Sequence, residues 1–328
     1  MTDSDRKILF VFPGQGCQYR GMGGDLLKEF ESARDIFARA SDVVGYDMAT
    51  LCLKDPDSEL DLTRFTQPAL VTHQLACLAA FRESLGDATI TPAIAGGHSL
   101  GEYSALVVAG ALSVEDAIAL VKRRGELMSE LGEGSMLATT LDLETARTLA
   151  DKFFCGIGGC NLPEQTVIGG RDADLDALEQ ELGERFPRKR AQRLRTEGAF
   201  HTYLMVEAAR RFRDILDDVQ FNPLKLATLS NYTGALHEAE PQAIRSRLFF
   251  QLFNPVMWYA CMETAFGSGV DAIVEFGGGI GTGETPAEKR PNLAGMIKKA
   301  QKTCGSEAAY HSAINTESIR ATASELAA

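Results

Sequence analysis

The chain has 328 residues, 45% of them hydrophobic, enough to bury the core of one large domain and a smaller one. Its net charge of -12 argues against nucleic acid or an anionic membrane as a bulk partner. No apolar run approaches the roughly 20 residues of a membrane helix, and Ile8–Phe12 ahead of Pro13 is too short for a signal-peptide core. Seven cysteines without paired spacing point to reduced thiols in the cytoplasm, and Cys155 and Cys160 read as packing residues, with no metal site.

In chain order, Lys7 to Phe12 reads as a buried strand that stops at Pro13-Gly14-Gln15-Gly16. Helical periods follow over Met22–Val44 and Gln67–Leu85. Ala93–Gly96 is a second short strand, and a helix begins at Glu102. Ser113 with Asp116 marks the start of a helix running to Leu131. From Ser135 to Arg195 the order becomes strand, helix, strand, strand, helix, strand, the ferredoxin-like pattern. A helix over Tyr203–Val219, a strand over Lys225–Ser230 and a last strand over Ala272–Phe276 complete the series. Strands alternating with helices imply an α/β fold with a parallel sheet. The expected division is a large domain over 1–133 and 197–302, a ferredoxin-like insertion over 134–196, and a frayed or disordered tail over 303–328.

Between the second strand and its helix lies Gly97-His98-Ser99-Leu100-Gly101. A serine on so sharp a turn has a strained backbone, glycines on either side keep the bend clear, and the helix N-terminus faces the reacting oxygen. A base is then needed, and the chain offers five histidines. His98 adjoins Ser99 and reads as a brace; His73 lies mid-helix, His237 follows a turn and His311 sits in the tail. His201 comes directly after a strand and opens a helix, where active residues of open α/β sheets collect. Arg124 reads either as a solvated helix arginine or as a planar clamp for a carboxylate.

These segments together resemble the malonyl-CoA:acyl-carrier-protein transacylase family, most closely the discrete, trans-acting acyltransferases of polyketide synthases. The resemblance rests on Phe12-Pro13-Gly14-Gln15-Gly16, Thr66-Gln67-Pro68-Ala69-Leu70, Gly97 to Glu102, Arg123-Arg124-Gly125, Asn161 with Gln165, Phe200-His201, and Gln251 ahead of Asn254-Pro255-Val256. It implies an α/β-hydrolase-like large domain carrying the small ferredoxin-like one. It also implies a Ser99–His201 dyad, with His201 oriented by the backbone carbonyl of Gln251 and the oxyanion held by the amides of Gln15 and Leu100. Arg124 would bind the malonyl carboxylate, with Gln67, Asn161 and Phe200 beside the substrate. Phe200 would crowd a 2-methyl branch, favouring malonyl by about 1–3 kcal/mol. The implied reaction carries malonyl from malonyl-CoA to the phosphopantetheine thiol of an acyl carrier protein, for polyketide or fatty-acid synthesis. No bound cofactor is expected, and a monomer is.

Two features depart from that family. Cys17 stands where serine is common, and Gly277-Gly278-Gly279-Ile280-Gly281-Thr282-Gly283-Glu284 replaces the usual Gly-Pro-Gly and Leu-Thr-Gly-Leu. Five glycines there suggest a lid or a floppy connection. For an acidic carrier protein or coenzyme A phosphates, the cationic run Arg185, Arg188, Lys189, Arg190, Arg193 and Arg195 is one expected surface, and Lys289, Arg290, Lys298 and Lys299 another. The competing readings are an acyl hydrolase of the same fold, a transacylase for another acyl unit, and a scaffold that only binds carrier proteins.

Overall fold

The first strand, β1 (Ile8–Phe12), is five apolar residues buried on both faces, as the centre of a helix-covered parallel sheet requires. A computed structural model describes residues 6–328 of the chain. After β1 come α1 (Leu26–Glu29), α2 (Glu31–Val44), α3 (Met48–Leu53) and α4 (Thr63–Ser84). The single helix expected over Met22–Val44 is therefore broken. Phe30 is extended at φ -122° and ψ 127°, and Gly23 has φ 82°. A Cβ on Gly23 would lie 2.8 Å from the Phe37 ring, so the turn packs too closely for a continuous helix.

Next are β2 (Ile94–Gly97), α5 (Gly101–Val108) and α6 (Val114–Glu130), the last capped by the Ser113 hydroxyl on the Asp116 amide. The chain then makes β3 (Ser135–Thr139), α7 (Leu143–Lys152), β4 (Gly156–Leu162), β5 (Gln165–Gly170), α8 (Asp172–Arg185) and β6 (Ala191–Leu194). This is the β-α-β-β-α-β series expected from the sequence, and its four strands form an antiparallel sheet in the order β4-β5-β3-β6. A short 3₁₀ turn leads into α9 (Val206–Asp218), followed by β7 (Ala227–Thr228), α10 (Pro241–Gln251), α11 (Trp258–Gly267), β8 (Ala272–Phe276), α12 (Ala294–Cys304), β9 (Ala309–Ala313) and α13 (Thr316–Ala327).

The larger sheet is parallel throughout, in the order β7-β2-β1-β8-β9. Strand ends at Phe12, Gly97, Thr228 and Phe276 all feed loops on one edge, where ligands of open α/β sheets bind. No helix among the described residues is long and apolar enough to cross a membrane.

The tail differs from the frayed or disordered segment that its composition suggests. Residues 309–313 add a parallel edge strand to β8, and Ile319, Ala323 and Leu326 bury one face of α13. Fully buried Glu275 ties the region together: its carboxylate accepts from the Tyr310 hydroxyl at 2.5 Å and from the Asn292 and Leu293 amides at 2.7 and 3.0 Å. Burial pushes this carboxyl up to about 7, against the pull of those donors. Tyr310→Phe should lower stability by about 1–3 kcal/mol, because a buried acceptor loses its partner. A urea titration reads the shift, and an unmoved midpoint would mean the Tyr310–Glu275 hydrogen bond contributes nothing.

The glycine loop after β8 is pinned rather than a floppy connection. Gly277 and Gly278 have φ 77° and 68°. A Cβ on Gly277 would meet the Gln74 backbone at 2.7 Å, and one on Gly278 would meet the Cys17 sulfur at 2.4 Å. The Gly278 amide donates to His73 Nδ1 at 2.9 Å, the Gly279 amide to the Cys17 carbonyl at 2.8 Å, and Ile280 bridges to Arg290. Cys17 is itself buried, its thiol donating to the Gly14 carbonyl at 3.0 Å, with burial pushing its pKa well up. The cysteine and the glycine loop form one packed unit.

Candidate active site

Ser99 sits at the turn from β2 into α5 with φ 52°, a left-handed conformation that costs a non-glycine residue about 1–3 kcal/mol. The flanking glycines are a packing necessity. A Cβ on Gly97 would fall 2.0 Å from the Gly101 backbone, and one on Gly101 would fall 2.2 Å from the Phe12 carbonyl oxygen. Asn231, just past β7, locks the bend: its Oδ1 accepts from the Ser99 amide at 2.5 Å and its Nδ2 donates to the Gly97 carbonyl at 2.7 Å.

His201 is also left-handed, at φ 62°, and buried. Its Nδ1 lies 2.7 Å from the Gln251 carbonyl, and its Nε2 lies 2.8 Å from Ser99 Oγ. A carbonyl can only accept, so the proton belongs on Nδ1, and Nε2 presents a lone pair to the serine hydroxyl. Burial is the main force pulling the imidazole pKa down, to about 3, and the Arg124 charge adds to it, so the ring is neutral at neutral pH.

Arg124, on α6, is fully buried. One of its terminal nitrogens, Nη1, donates to Gln67 Oε1 at 2.8 Å; the other, Nη2, donates to Ser99 Oγ at 3.1 Å and to Gln251 Oε1 at 3.2 Å. Its Nε has no acceptor, and among the described residues no carboxylate pairs with it. Desolvation lowers its pKa, with Tyr103 and Glu102 opposing. A guanidinium held dry without a counter-ion is costly, and an arriving anion relieves that cost.

Behind this group lies a buried network. Glu102 accepts from Gln251 Nε2 at 2.9 Å, from the Asn231 amide at 2.9 Å and from His237 Nε2 at 2.7 Å. The Gln251 side chain also donates to the Ser99 carbonyl at 3.0 Å. Gln251 thus orients His201 through its backbone and Arg124 through its amide, and Glu102 fixes which way that amide points. Ser99, His201 and Arg124 line a cavity of about 750 Å³, which Gln15, Leu100, Gln67, Asn161 and Phe200 also border. The backbone N–H groups of Gln15 and Leu100 have no acceptor among the described residues. No cluster of acidic, histidine and cysteine side chains among the described residues could hold a metal ion.

A neutral imidazole on a strained serine, beside an anion-seeking guanidinium, is equipped for acyl transfer from a carboxylated acyl donor. Residues 9–276 match the family described as acyl transferase domain. The chain belongs to that family. Among curated acyltransferases, the malonyl CoA-acyl carrier protein transacylase of Bacillus subtilis is 35% identical over 305 residues, 90% of this chain and 91% of that protein. The polyketide biosynthesis protein ThaF of Burkholderia thailandensis is 37% identical over 299 residues, 89% of this chain but 25% of that longer protein. A solved complex titled as a type II PKS acyl-carrier protein with its malonyl-transacylase has a TM-score of 0.84 to this acyltransferase at 31% identity, covering 97% of this chain and 99% of that one.

Ser99, His201, Arg124, Gln67 and Gln251 meet as one hydrogen-bonded group in this acyltransferase. Gln67 lines the cavity, and its amide binds Arg124 through Oε1 at 2.8 Å and the Met128 sulfur through Nε2 at 3.3 Å. Asn161 lines the cavity while its Oδ1 accepts from His98 Nε2 at 2.9 Å, which makes His98 the brace it was read as. Of the six cations between Arg185 and Arg195, three are held in ion pairs: Arg185 with Glu181, Lys189 with Glu164, and Arg193 with Asp176 and Glu179. Asn231, Glu102 and His237 were assigned no role from the sequence. Asn231 lies just beyond a strand end and Glu102 closes the Gly97–Glu102 segment, and either place could have drawn notice.

Proposed function

We propose that this acyltransferase carries a malonyl group from malonyl-CoA to the phosphopantetheine thiol of an acyl carrier protein, through an acyl-Ser99 intermediate. One observation carries the malonyl assignment: Arg124 is dry, lacks a carboxylate partner among the described residues, and reaches 3.1 Å from the nucleophilic oxygen. The names of the relatives, and the carrier protein in the solved complex, support the same donor and acceptor.

In the first half-reaction Ser99 Oγ attacks the thioester carbonyl carbon while its proton passes to His201 Nε2. The carbonyl electrons move to oxygen, which the Gln15 and Leu100 amides would receive. Collapse of this intermediate breaks the carbon–sulfur bond, and His201 returns the proton to the departing coenzyme A thiolate. The carrier thiol then gives its proton to His201 and attacks acyl-Ser99, and Ser99 recovers its proton. Arg124 would bind the malonyl carboxylate throughout, with one N–H side free for a second contact. Phe200 borders the cavity and is buried, which supports a preference for unbranched malonyl. Phe200→Ser should raise methylmalonyl relative to malonyl loading by about 1–3 kcal/mol, roughly five- to 160-fold, in a competition read by mass. An unchanged ratio would remove Phe200 from selection. We also place the enzyme in the cytoplasm, on its seven free thiols.

The competing chemistry is hydrolysis by the same acyl-serine. An arginine clamp holding the acyl group in one pose favours transfer, since clearing simple acyl groups needs no such clamp. Malonyl-enzyme should therefore persist alone and discharge quickly when phosphopantetheinylated carrier protein is added, as followed by intact mass. Equal decay in both conditions, with free malonate as product, would replace transfer by hydrolysis.

A further inference from the structure

Among the described residues no carboxylate touches Arg124, yet one lies a single amide away. Arg124 Nη2 donates to Gln251 Oε1 at 3.2 Å, and Gln251 Nε2 donates to Glu102 Oε2 at 2.9 Å. All three residues are fully buried, on α6, α10 and α5. Turning the Gln251 amide over would set its NH2 against the guanidinium and its oxygen against Glu102 and the Ser99 carbonyl, so the groups at its two ends fix its direction.

The remaining contacts of Glu102 decide its charge. Its Oε2 also accepts from the Asn231 amide at 2.9 Å, and its Oε1 lies 2.7 Å from His237 Nε2. The other ring nitrogen of His237, Nδ1, is buried and has no partner. A proton there would be a buried donor without an acceptor, which is costly. That argues against an imidazolium, and equally against a protonated Glu102 donating to Nε2. The ring is therefore the neutral Nε2–H tautomer, and Glu102 is a carboxylate surrounded by uncharged donors. Two opposite charges thus face each other in a dry interior through one amide. Burial pulls the Arg124 pKa down, while Tyr103 and then Glu102 push it back up.

We propose that Glu102 is the counter-ion of Arg124, coupled to it through the Gln251 side chain, and that its charge tempers the grip of Arg124 on the acyl carboxylate. The second half of this rests on Arg124 binding that carboxylate. A clamp without any counter-charge would hold malonyl hardest, but the malonyl group must also leave with the acceptor, so an untempered grip slows release. Glu102 acts through Gln251 and is a positioning residue.

Glu102→Gln removes the charge and keeps the contacts. Its oxygen can accept from Gln251 and Asn231, and its NH2 can donate to His237 once the ring carries its proton on Nδ1. The test crosses this change with Arg124→Ala, and reads urea midpoints and the malonyl-to-acetyl ratio of acylation kcat/KM in all four proteins. Glu102→Gln should raise that ratio about tenfold in the wild-type background, where the freed cation attracts a carboxylate more strongly. In Arg124→Ala it should leave the ratio unmoved. It should lower the urea midpoint of wild type yet raise that of Arg124→Ala, because there it removes a buried charge that has lost its partner. If Glu102 served only to shape the site, both backgrounds would lose stability and both substrates would slow in parallel; either result overturns the proposal. So does a Glu102→Gln protein that folds in neither background. The midpoints need no substrate. A midpoint shift of opposite sign in the two backgrounds, with Arg124→Ala alone leaving the ratio at its wild-type value, would refute the carboxylate clamp of the proposed function and leave the ion pair standing.

Discussion

Replacing Arg124 with alanine should lower malonyl loading of Ser99 by about 2–5 kcal/mol, some thirtyfold to several thousandfold, as for one partner of a desolvated charge pair. Acetyl-CoA, with no carboxylate, should be used no worse and even gain. The sign follows from His201. The Arg124 cation is one of the causes that depress the imidazole, after burial, so its removal makes the base stronger. The acidic limb of kcat/KM for acetyl transfer should therefore move to higher pH in Arg124→Ala than in wild type. In wild type, a bound malonyl carboxylate neutralises the same cation, so the limb of kcat should lie above that of kcat/KM, which reports the free enzyme. Stopped-flow acylation across pH reads both. Parallel loss of malonyl and acetyl loading would make Arg124 a structural or coenzyme A contact, and coincident limbs would remove its influence on the base.

His201→Ala should slow acylation by about 10²–10⁴-fold, the usual worth of a positioned base, without changing which substrate is preferred. A serine hydroxyl is a weak nucleophile at neutral pH, and here the acceptor 2.8 Å from it is His201 Nε2. Arg124 Nη2 still touches Oγ in that variant, so some residual acylation is expected. Single-turnover rates with malonyl-CoA measure the loss. A rate within a factor of about three of wild type would place the base elsewhere.

The residues of the candidate site were legible because each stands in a local pattern that geometry demands. Gly97 and Gly101 bracket Ser99 because no Cβ fits at either place, and His201 lies on the segment that joins β6 to the 3₁₀ turn at Tyr203–Met205. Arg124 was ambiguous in sequence, since helix spacing alone places it beside Lys122 and Arg123, both of which pair with Glu126 on the outer face. Burial separates it from them. The side-chain contacts behind the site were not legible: Glu102 meets Asn231, His237 and Gln251 across more than a hundred residues of chain, which no local spacing encodes. The tail misled for a related reason. Ala309–Ala313 is too mixed in polarity to read as a strand, and becomes one because β8 offers an edge and Glu275 a partner for Tyr310. The glycine loop misled in the opposite direction, since glycines that permit motion in isolation are here required by contact with Gln74 and Cys17.

The most direct measurement is intact-mass analysis and peptide mapping after incubation with equimolar malonyl-CoA and acetyl-CoA, followed by holo carrier protein. One malonyl group is expected on the peptide containing Ser99, with little acetyl, no adduct on folded Ser99→Ala protein, and passage of the malonyl mass to the carrier. A stable malonyl adduct on Ser99→Ala protein, or no acyl group on the wild type, would contradict transfer through Ser99.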